Sequence, residues 1–446
     1  MKRWVFLFFL VAGLAGCQRY EPAPELSQES MAGHQEDDLS GKNGQAGKAN
    51  RQENTGQADK ESAEGEEDIE AGSSNHQSVR EQTQEIVIST KPERTPVKVK
   101  GIYVSAYVAG MDDLMDEIIA QIDQTELNAV VIDVKDDNGH VTFAMDSPSA
   151  QAIGACVNYI PDIKVLVDKL KEHDIYLIAR IPAFRDPYLA EARPDWCCML
   201  ADGSVFRDRN KLAWVNPYKK EVWNYLVEIG KMAGEAGFDE IQFDYIRFCT
   251  EKGMQNVIFD EEDTEGKSRQ EIILEFVQYA YDQLTQEGLF VSADVFGVVM
   301  NGGSDAFYVG QDYGKMASSL DYICPMIYPS HYGDGYFGIA HPDMQPYPTI
   351  AAALAVSKAA LAQEMASGAA GAGSKDNAGN TADIKHQAIV RPWLQDFTAS
   401  YLKHHIAYGP QQVKEQIQAV YDAGYEEWIL WDAKVTYHYE GLMPAE

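Results

Sequence analysis

The chain has 446 residues, 45% of them hydrophobic and 24% charged, which is enough for one large domain or two or three ordinary ones. Its 37 Lys and Arg stand against 69 Asp and Glu, so the net charge is −32. This acidity argues against nucleic acid as a partner and against a polybasic membrane patch, because both need clustered basic groups. The 24 Tyr, 16 Phe and 7 Trp suit a large core and equally suit stacking on sugar rings.

The N-terminus has the pattern of a bacterial lipoprotein. Lys2 and Arg3 precede an apolar run at residues 4–12, which is too short to be a comfortable membrane-spanning helix. Residues 14–17, Leu-Ala-Gly-Cys, resemble a lipobox, in which the cysteine is lipidated. The sequence therefore predicts a signal peptide over residues 1–16 and a lipid anchor at Cys17. The protein would then sit at the cell membrane, facing outside the cytoplasm; a plain secretory signal is the alternative.

Residues 17–97 differ in composition from the rest of the chain. They are rich in Gln, Glu, Ser, Gly, Ala and Asn and almost free of aromatic residues. Such a segment cannot bury enough apolar surface to offset the entropy lost on ordering. The sequence therefore predicts a disordered, acidic tether between the lipid anchor and a folded domain.

From residue 101 onward, strand-like runs alternate with helical segments. The eight runs span residues 101–108, 129–135, 175–181, 240–248, 290–296, 322–328, 388–394 and 427–432. The main helical segments span residues 111–124, 163–173, 219–236, 269–287 and 410–423. Eight βα repeats predict an α/β fold, a single (β/α)8 TIM barrel over residues 98–446. Insertions are expected at residues 141–162 and, as a low-complexity surface segment, at about 366–387.

Polar and aromatic residues recur late in the strand-like runs, where a barrel of this type carries its active site. A single carboxylate there is readily explained as a helix cap or an ion pair, and a single aromatic ring as packing. Recurrence in seven runs instead indicates a site, because burying so many polar groups is costly without compensation. The predicted substrate-binding residues are Asp133, Lys135, Arg180, Tyr245, Arg247, Tyr328, His331, Trp393, Gln395, Asp396, Trp431 and Asp432.

The most suggestive pair is Asp244 and Asp294, late in neighbouring strands 4 and 5. Two carboxyl groups facing one bond are the catalytic parts of a glycosidase, and their proximity raises the pKa of one of them. Neighbouring strands lie ~4.8 Å apart, close to the ~5–5.5 Å carboxyl separation of retaining enzymes. The sequence therefore predicts retention, with Asp244 as nucleophile and Asp294 as acid/base. If the acid were Asp396 or Asp432, across the barrel, inversion would follow.

Six motifs occur in a characteristic order between residues 100 and 397, and the resemblance that they carry covers about residues 98–440. They are Lys-Gly-Ile-Tyr-Val-Ser-Ala (100–106), Val-Ile-Asp-Val-Lys-Asp-Asp (131–137), Gln-Phe-Asp-Tyr-Ile-Arg-Phe (242–248), Ser-Ala-Asp-Val-Phe-Gly (292–297), Met-Ile-Tyr-Pro-Ser-His-Tyr (326–332) and Arg-Pro-Trp-Leu-Gln-Asp-Phe (391–397). As a set they resemble a bacterial glycoside hydrolase family catalogued as domain of unknown function 4015.

This resemblance implies a TIM barrel distantly similar to the α-amylase clan, whose nucleophile lies on strand 4 and whose acid lies on strand 5. Asp244 and Asp294 occupy those strands. Two positions depart from the clan. Asp294 stands where a glutamate is usual, and Gln242 stands where an arginine precedes the nucleophile by two residues.

The motifs of other hydrolases are missing. The sequence has no His-x-His after the first strand, no His-Glu-x-x-His, no Gly-x-Ser-x-Gly and no complete phosphate-binding Gly-x-x-x-x-Gly-Lys-Ser/Thr, because Gly266-Lys267-Ser268 is preceded by Glu261 where that motif has its first glycine. We therefore predict a cofactor-free glycoside hydrolase that cleaves a polysaccharide or oligosaccharide outside the cytoplasm. Two alternatives remain: a non-catalytic carbohydrate-binding lipoprotein, and a carboxylate-metal hydrolase using Asp133, Asp244 and Asp294. The sequence leaves the glycan and the oligomeric state open.

Overall fold

The computed structural model describes residues 94–371 and 386–445. The predicted signal peptide, Cys17 and the tether up to residue 93 lie outside the described residues, as do residues 372–385 of the predicted insertion. None of the helices in the described ranges combines the length and hydrophobicity that a bilayer span requires.

Eight parallel strands form a closed barrel, which confirms the predicted fold. The strands are β1 (Lys100–Val104), β2 (Ala129–Asp133), β3 (Tyr176–Pro182), β4 (Glu240–Asp244), β5 (Phe290–Phe296), β6 (Tyr322–Met326), β7 (Ile389–Val390 and Trp393–Gln395) and β8 (Trp428–Trp431). Each strand pairs with the next in chain order, and the ring closes where β8 pairs with β1, Ile429 lying beside Gly101. A two-stranded antiparallel sheet, Met199–Leu200 with Val257–Ile258, lies outside the barrel.

Several strands end earlier than the sequence predicted, and one is interrupted, because local groups turn the chain. β1 ends at Val104, where Ser105 caps a helix by accepting a hydrogen bond from the Val108 amide. β4 ends at Asp244, because Tyr245 adopts a left-handed conformation with φ of 49°. β7 is interrupted between its two pieces, where Pro392 has no N–H to donate to a neighbouring strand.

Helices surround the barrel. They are α1 (Ala106–Ala109), α2 (Asp112–Ile122), α3 (Pro148–Ile153), α4 (Ile163–Glu172), α5 (Pro187–Ala192), α6 (Lys220–Ala236), α7 (Glu261–Thr264), α8 (Arg269–Leu284), α9 (Gly303–Val309), α10 (Tyr313–Ala317), α11 (Pro346–Gly371) and α12 (Pro410–Asp422). Two of the longer ones begin at side-chain caps: α8 at the Ser268–Glu271 capping box, and α4 at Asp162, which accepts from the Val165 amide. The predicted insertion at 141–162 contains α3, and α11 continues to Gly371, beyond the predicted start of the low-complexity segment.

The core has an outer layer and an inner layer. Apolar side chains on the outward faces of the strands pack against the helices, while a smaller cluster that includes Val131, Ile178 and Ile429 fills the barrel interior. β4 is the exception to this apolar pattern, because its alternate residues Glu240, Gln242 and Asp244 are polar and all three are buried. Period-two alternation puts the three on one face of the strand, so β4 contributes a polar side chain at three successive levels along the barrel axis.

At the start of the strands lies a buried charge cluster, which we call the floor network: Arg391, Glu240 and Glu427. Arg391 Nη1 donates to both Glu240 carboxylate oxygens at 2.8 and 2.9 Å, and its Nε donates to Glu427 Oε2 at 2.8 Å. The guanidinium also stacks over the Tyr322 ring at 3.7 Å. Ser292 Oγ completes the shell by donating to Glu240 at 2.5 Å. The floor network thus joins β4, β5, β7 and the start of β8.

Candidate active site

At the opposite end of the strands, one arginine gathers three carboxylates. Arg180 on β3 donates from Nη1 to Asp133 at 2.7 Å, from Nη2 to Asp137 at 2.9 Å, and from Nη2 and Nε to Asp244 Oδ2 at 2.6 and 3.1 Å. Its side chain is 3% exposed, so these charge-assisted bonds form largely away from water. We call Arg180, Asp133, Asp137 and Asp244 the mouth network.

Asp294 lies beside this network but has a different environment. The ladder pairs Phe243 with Ala293, so Asp244 and Asp294 follow as the next residues on neighbouring strands. Asp294 Oδ1 accepts a hydrogen bond from Trp393 Nε1 at 2.6 Å, and no ion pair involving its carboxyl group is found among the described residues. Burial, reinforced by the charge of Asp244, holds the pKa of Asp294 well above its usual range. Asp294 is therefore the carboxyl group suited to carry a proton at neutral pH.

Asp133 is the second carboxyl group with a raised pKa. Burial raises it to about 6, although Arg180 acts against the shift. The Tyr103 hydroxyl donates to Asp133 Oδ2 at 2.5 Å, and the Tyr103 ring packs 4.2 Å from the Trp431 ring. The Arg180 guanidinium lies 5.9 and 5.6 Å from these two ring centres. Arg180 is thus held by aromatic faces as well as by carboxylates, so its orientation is fixed.

Tyr245 and Arg247, both predicted site residues, lie next to Asp244. The Tyr245 amide donates to Asp244 Oδ1 at 2.6 Å, which is one reason why the chain leaves the strand there. Arg185 donates to the Tyr245 hydroxyl and lies over its ring, and Arg247 packs against the same ring at 5.3 Å and against Trp214 at 5.0 Å. Within the described ranges, neither Arg185 nor Arg247 forms an ion pair.

Other predicted site residues lie away from the mouth network. Lys135 is fully buried and binds Asp186 at 2.9 Å and the Pro182 carbonyl at 2.5 Å. His331 packs edge-on against Tyr328 at 4.9 Å, and burial lowers the pKa of His331 to about 4.

Three predicted site residues at the ends of β7 and β8, namely Gln395, Asp396 and Asp432, form hydrogen bonds to loops. Gln395 donates to Asp343 at 3.0 Å and to the Phe397 carbonyl at 2.9 Å. Asp396 accepts from the His438 amide at 2.9 Å and contacts the His438 ring nitrogen at 2.6 Å. Asp432 accepts from the Thr436 amide at 3.0 Å. In the structure these three shape the rim around the site, and none of them contacts Arg180.

Three residues of the site were not among the predicted ones: Tyr103, Asp137 and Arg185. Tyr103 and Asp137 lie inside two of the six motifs, and period two also puts Tyr103 on the face that enters the barrel. The motifs were therefore a signal in the sequence that could have identified both residues as part of the site. Arg185 follows β3 in a loop, where neither periodicity nor a motif marks it.

The metal-hydrolase alternative does not fit these contacts well. It needs carboxylate oxygens of Asp133, Asp244 and Asp294 to converge on a cation. Here an arginine cation already lies between Asp133 and Asp244, and Trp393 donates to Asp294. The arrangement instead gives one carboxyl group bonded to an arginine beside one carboxyl group with a raised pKa, the kind of pair that acid-catalysed displacement at a glycosidic carbon needs.

Comparisons with known proteins place this geometry in context. A family model described as "Putative glycosyl hydrolase domain" matches residues 101–437. A hypothetical protein from Ruminiclostridium thermocellum is 37% identical, covering 44% of this chain and 97% of its own, with a TM-score of 0.41. The glycoside hydrolase domain of PgaB (BpsB) from Bordetella bronchiseptica is 11% identical, covering 76% of this chain and 94% of its own, with a TM-score of 0.51. No curated protein matches the chain.

Proposed function

Because the chain belongs to this family of glycosyl hydrolase domains, we propose that it cleaves a polysaccharide outside the cytoplasm with retention of anomeric configuration. Asp294 is the acid/base and Asp244 the nucleophile. The observation that carries the proposal is the contrast between the two carboxyl groups. Asp244 accepts hydrogen bonds from two Arg180 N–H groups, whereas burial and the charge of Asp244 raise the pKa of Asp294.

The chemistry follows from this contrast. Asp294 donates its proton to the glycosidic oxygen while Asp244 attacks the anomeric carbon, which gives a glycosyl-enzyme ester. Asp294, now ionised, takes a proton from the water that cleaves the ester, and both carboxyl groups return to their starting states. Arg180 binds Asp244 Oδ2 through two N–H groups, whereas Oδ1 accepts the Tyr245 amide alone, so we assign Oδ1 as the oxygen that attacks.

The position of the two residues on adjacent strands supports retention, because strand spacing alone separates them by only ~4.8 Å. Their partners act against close approach. Arg180 holds Asp244 towards β3, and Trp393 holds Asp294 towards β7. The anomeric configuration of the product therefore distinguishes a short separation of the two carboxyl groups, which gives retention, from a longer one, which gives inversion.

The test is a screen of polysaccharides for release of reducing ends, with wild type and Asp244→Asn run side by side. We expect cleavage by wild type only, and proton NMR of the first-formed product should show the anomer of the starting linkage. A product of inverted configuration would overturn the assignment of Asp244 as nucleophile. Binding of a glycan without cleavage, equal in both proteins, would instead support the non-catalytic carbohydrate-binding alternative.

The location outside the cytoplasm rests on residues 1–17, whose pattern is that of a lipoprotein signal. We expect Cys17→Ala to release the protein from the membrane fraction of its host without changing its melting temperature. A membrane fraction that retains the variant as fully as wild type would contradict the lipid anchor.

A further inference from the structure

Two loops at the mouth bring together a carboxylate and two histidines that the proposed reaction does not use. Asp334 and His341 lie in the loop between β6 and α11, and His404 lies in the loop between β7 and α12. One ligand atom from each lies within 4.8 Å of the other two. We call Asp334, His341 and His404 the loop triad.

The backbone of the first loop positions half of the triad. The Gly335 amide donates to the Ile339 carbonyl at 2.9 Å and to the Ala340 carbonyl at 3.2 Å. Gly335 adopts φ of 83°, a conformation that glycine reaches without a steric penalty. The resulting turn folds Asp334 back onto His341, so their proximity does not depend on an attraction between the side chains.

A tie between the two loops positions the third member. Asp343, two residues after His341, accepts a hydrogen bond from the amide of Ile406, two residues after His404, at 3.2 Å. The Tyr408 hydroxyl donates to the Asp343 carbonyl at 3.1 Å. These bonds fix the loops relative to each other, and the two imidazole rings consequently lie 3.9 Å apart between centres.

The contacts inside the triad leave one ring nitrogen unsatisfied. His404 Nδ1 lies 2.8 Å from Asp334 Oδ2 and forms a hydrogen bond with it. His341 Nδ1 lies 3.1 Å from Asp334 Oδ1, yet it is shielded from solvent and has no hydrogen-bond partner among the described residues. A solvent-shielded ring nitrogen without a hydrogen bond calls for an explanation, and the contact with Asp334 does not supply one, because the two atoms lie within 3.1 Å yet form no hydrogen bond.

We propose that the loop triad binds one Zn²⁺ ion through Asp334, His341 and His404, with water as the fourth ligand. Imidazole nitrogens and a carboxylate oxygen are ligands that zinc prefers. Bonds of ~2.0–2.1 Å in a tetrahedron place ligand atoms about 3.3 Å apart, close to the separations of 2.8 and 3.1 Å from Asp334 to the two rings. The ion is a structural link between two loops at the mouth, and this proposal does not depend on the proposed hydrolase activity.

The test is calorimetric titration of ZnCl₂ into the full-length chain after treatment with a chelator. Wild type should bind zinc at one site with micromolar or tighter affinity, and a saturating excess should raise its melting temperature by several degrees. The double variant His341→Ala/His404→Ala should lose both effects. His405→Ala is the matched control, because His405 neighbours His404 in the chain but binds the Leu402 carbonyl, so it should behave as wild type.

A second measurement separates the triad from the cysteines. Co²⁺ in the same site should give the visible absorption of tetrahedral nitrogen and oxygen ligands, without the near-ultraviolet band that thiolate ligands produce. Asp334→Asn, which keeps the shape of the side chain, should weaken zinc binding at least tenfold while the circular dichroism spectrum is unchanged. Zinc binding by wild type that persists in the double variant, or no zinc binding by folded wild type, would overturn the proposal.

Discussion

The two ends of this barrel carry charge clusters built from the same parts but balanced differently. In the floor network, Arg391 bonds two glutamates, and its carboxylates are fully or almost fully enclosed. In the mouth network, Arg180 bonds three aspartates, of which Asp137 is 25% exposed at its side chain. Next to the mouth network, Asp294 has a raised pKa and forms no ion pair with an arginine in the part of the chain that the structure describes. The difference teaches that the floor network pairs its buried carboxylates with a cation, whereas the mouth holds a carboxyl group with a raised pKa, the state that the proposed acid needs.

The largest expected effect is a loss of catalytic activity on substitution of Asp294, which would separate the mouth of the barrel from its floor network. Asp294→Asn removes the proton that the leaving oxygen needs, so kcat should fall by about 10³–10⁴-fold, or roughly 4–5.5 kcal/mol in activation free energy. Because asparagine keeps the shape and lacks charge, the melting temperature should stay within about 2 °C of wild type. Steady-state kinetics and a thermal melt on one preparation check both expectations. A large loss of stability would mean that Asp294 has a structural role like that of the floor network.

The converse expectation applies to the floor network. Arg391→Met leaves Glu240 and Glu427 buried without their cation, which should cost about 3–5 kcal/mol in free energy of unfolding. Urea denaturation measures this loss, and kcat per folded molecule should change less than threefold. The paired variant Arg391→Met/Glu240→Gln should recover part of the stability. If the double variant were no more stable than the single one, the buried charge of Glu240 would not be the cause.

A smaller effect concerns the response of the mouth to pH. The pKa of His331 is about 4 in the folded protein, below its ordinary value of 6.5, because burial disfavours the charged ring. As pH falls below 6.5, the unfolded chain takes up this proton before the folded chain does, so stability falls between pH 6.5 and 4. His331→Gln should remove on the order of 2 kcal/mol of that decline. Denaturation curves at pH 7 and pH 4 give the difference, and equal declines in both proteins would contradict it.

The smallest effect sharpens the role of Trp393. Its indole N–H bond favours the ionised form of Asp294, so Trp393→Phe should raise the pKa of Asp294 further. The alkaline limb of the kcat profile should move to higher pH, and kcat at the optimum should fall about tenfold. Trp431→Phe is a suitable comparison, because the Trp431 ring packs against Tyr103 and its N–H has no partner among the described residues. An unmoved alkaline limb in Trp393→Phe would mean that the indole bond does not tune the acid.

Regular features of the sequence predicted the barrel and the neighbourhood of its site. The alternation of eight apolar runs with amphipathic segments is a local signal, and the structure confirms the closed barrel that it predicted. Period two on neighbouring strands also brings Asp244 beside Asp294. The catalytic roles of these two residues remain predictions, as does the proposed link to the α-amylase clan.

Contacts between loops that are distant in the sequence could not be predicted from periodicity. Gln395 bonds Asp343, which is 52 residues earlier, and Asp396 bonds His438, which is 42 residues later. Lys135 shares the alternation of Asp133, but the chain leaves the strand at Asp133, so Lys135 turns to Asp186 instead. No periodic signal encodes these partners, because they depend on how separate loops close over the rim.

The interruption of β7 has a consequence for how this protein can be changed. Arg391 and Trp393 flank Pro392, so one stretch of three residues supplies the cation of the floor network and the indole that holds Asp294. Inserting or deleting one residue immediately before Arg391 would turn both side chains away from the interior together. Selection for heat resistance in a mutant library should therefore leave residues 391–393 untouched. It should accumulate its substitutions on the outer helices, where packing can improve without moving Asp294.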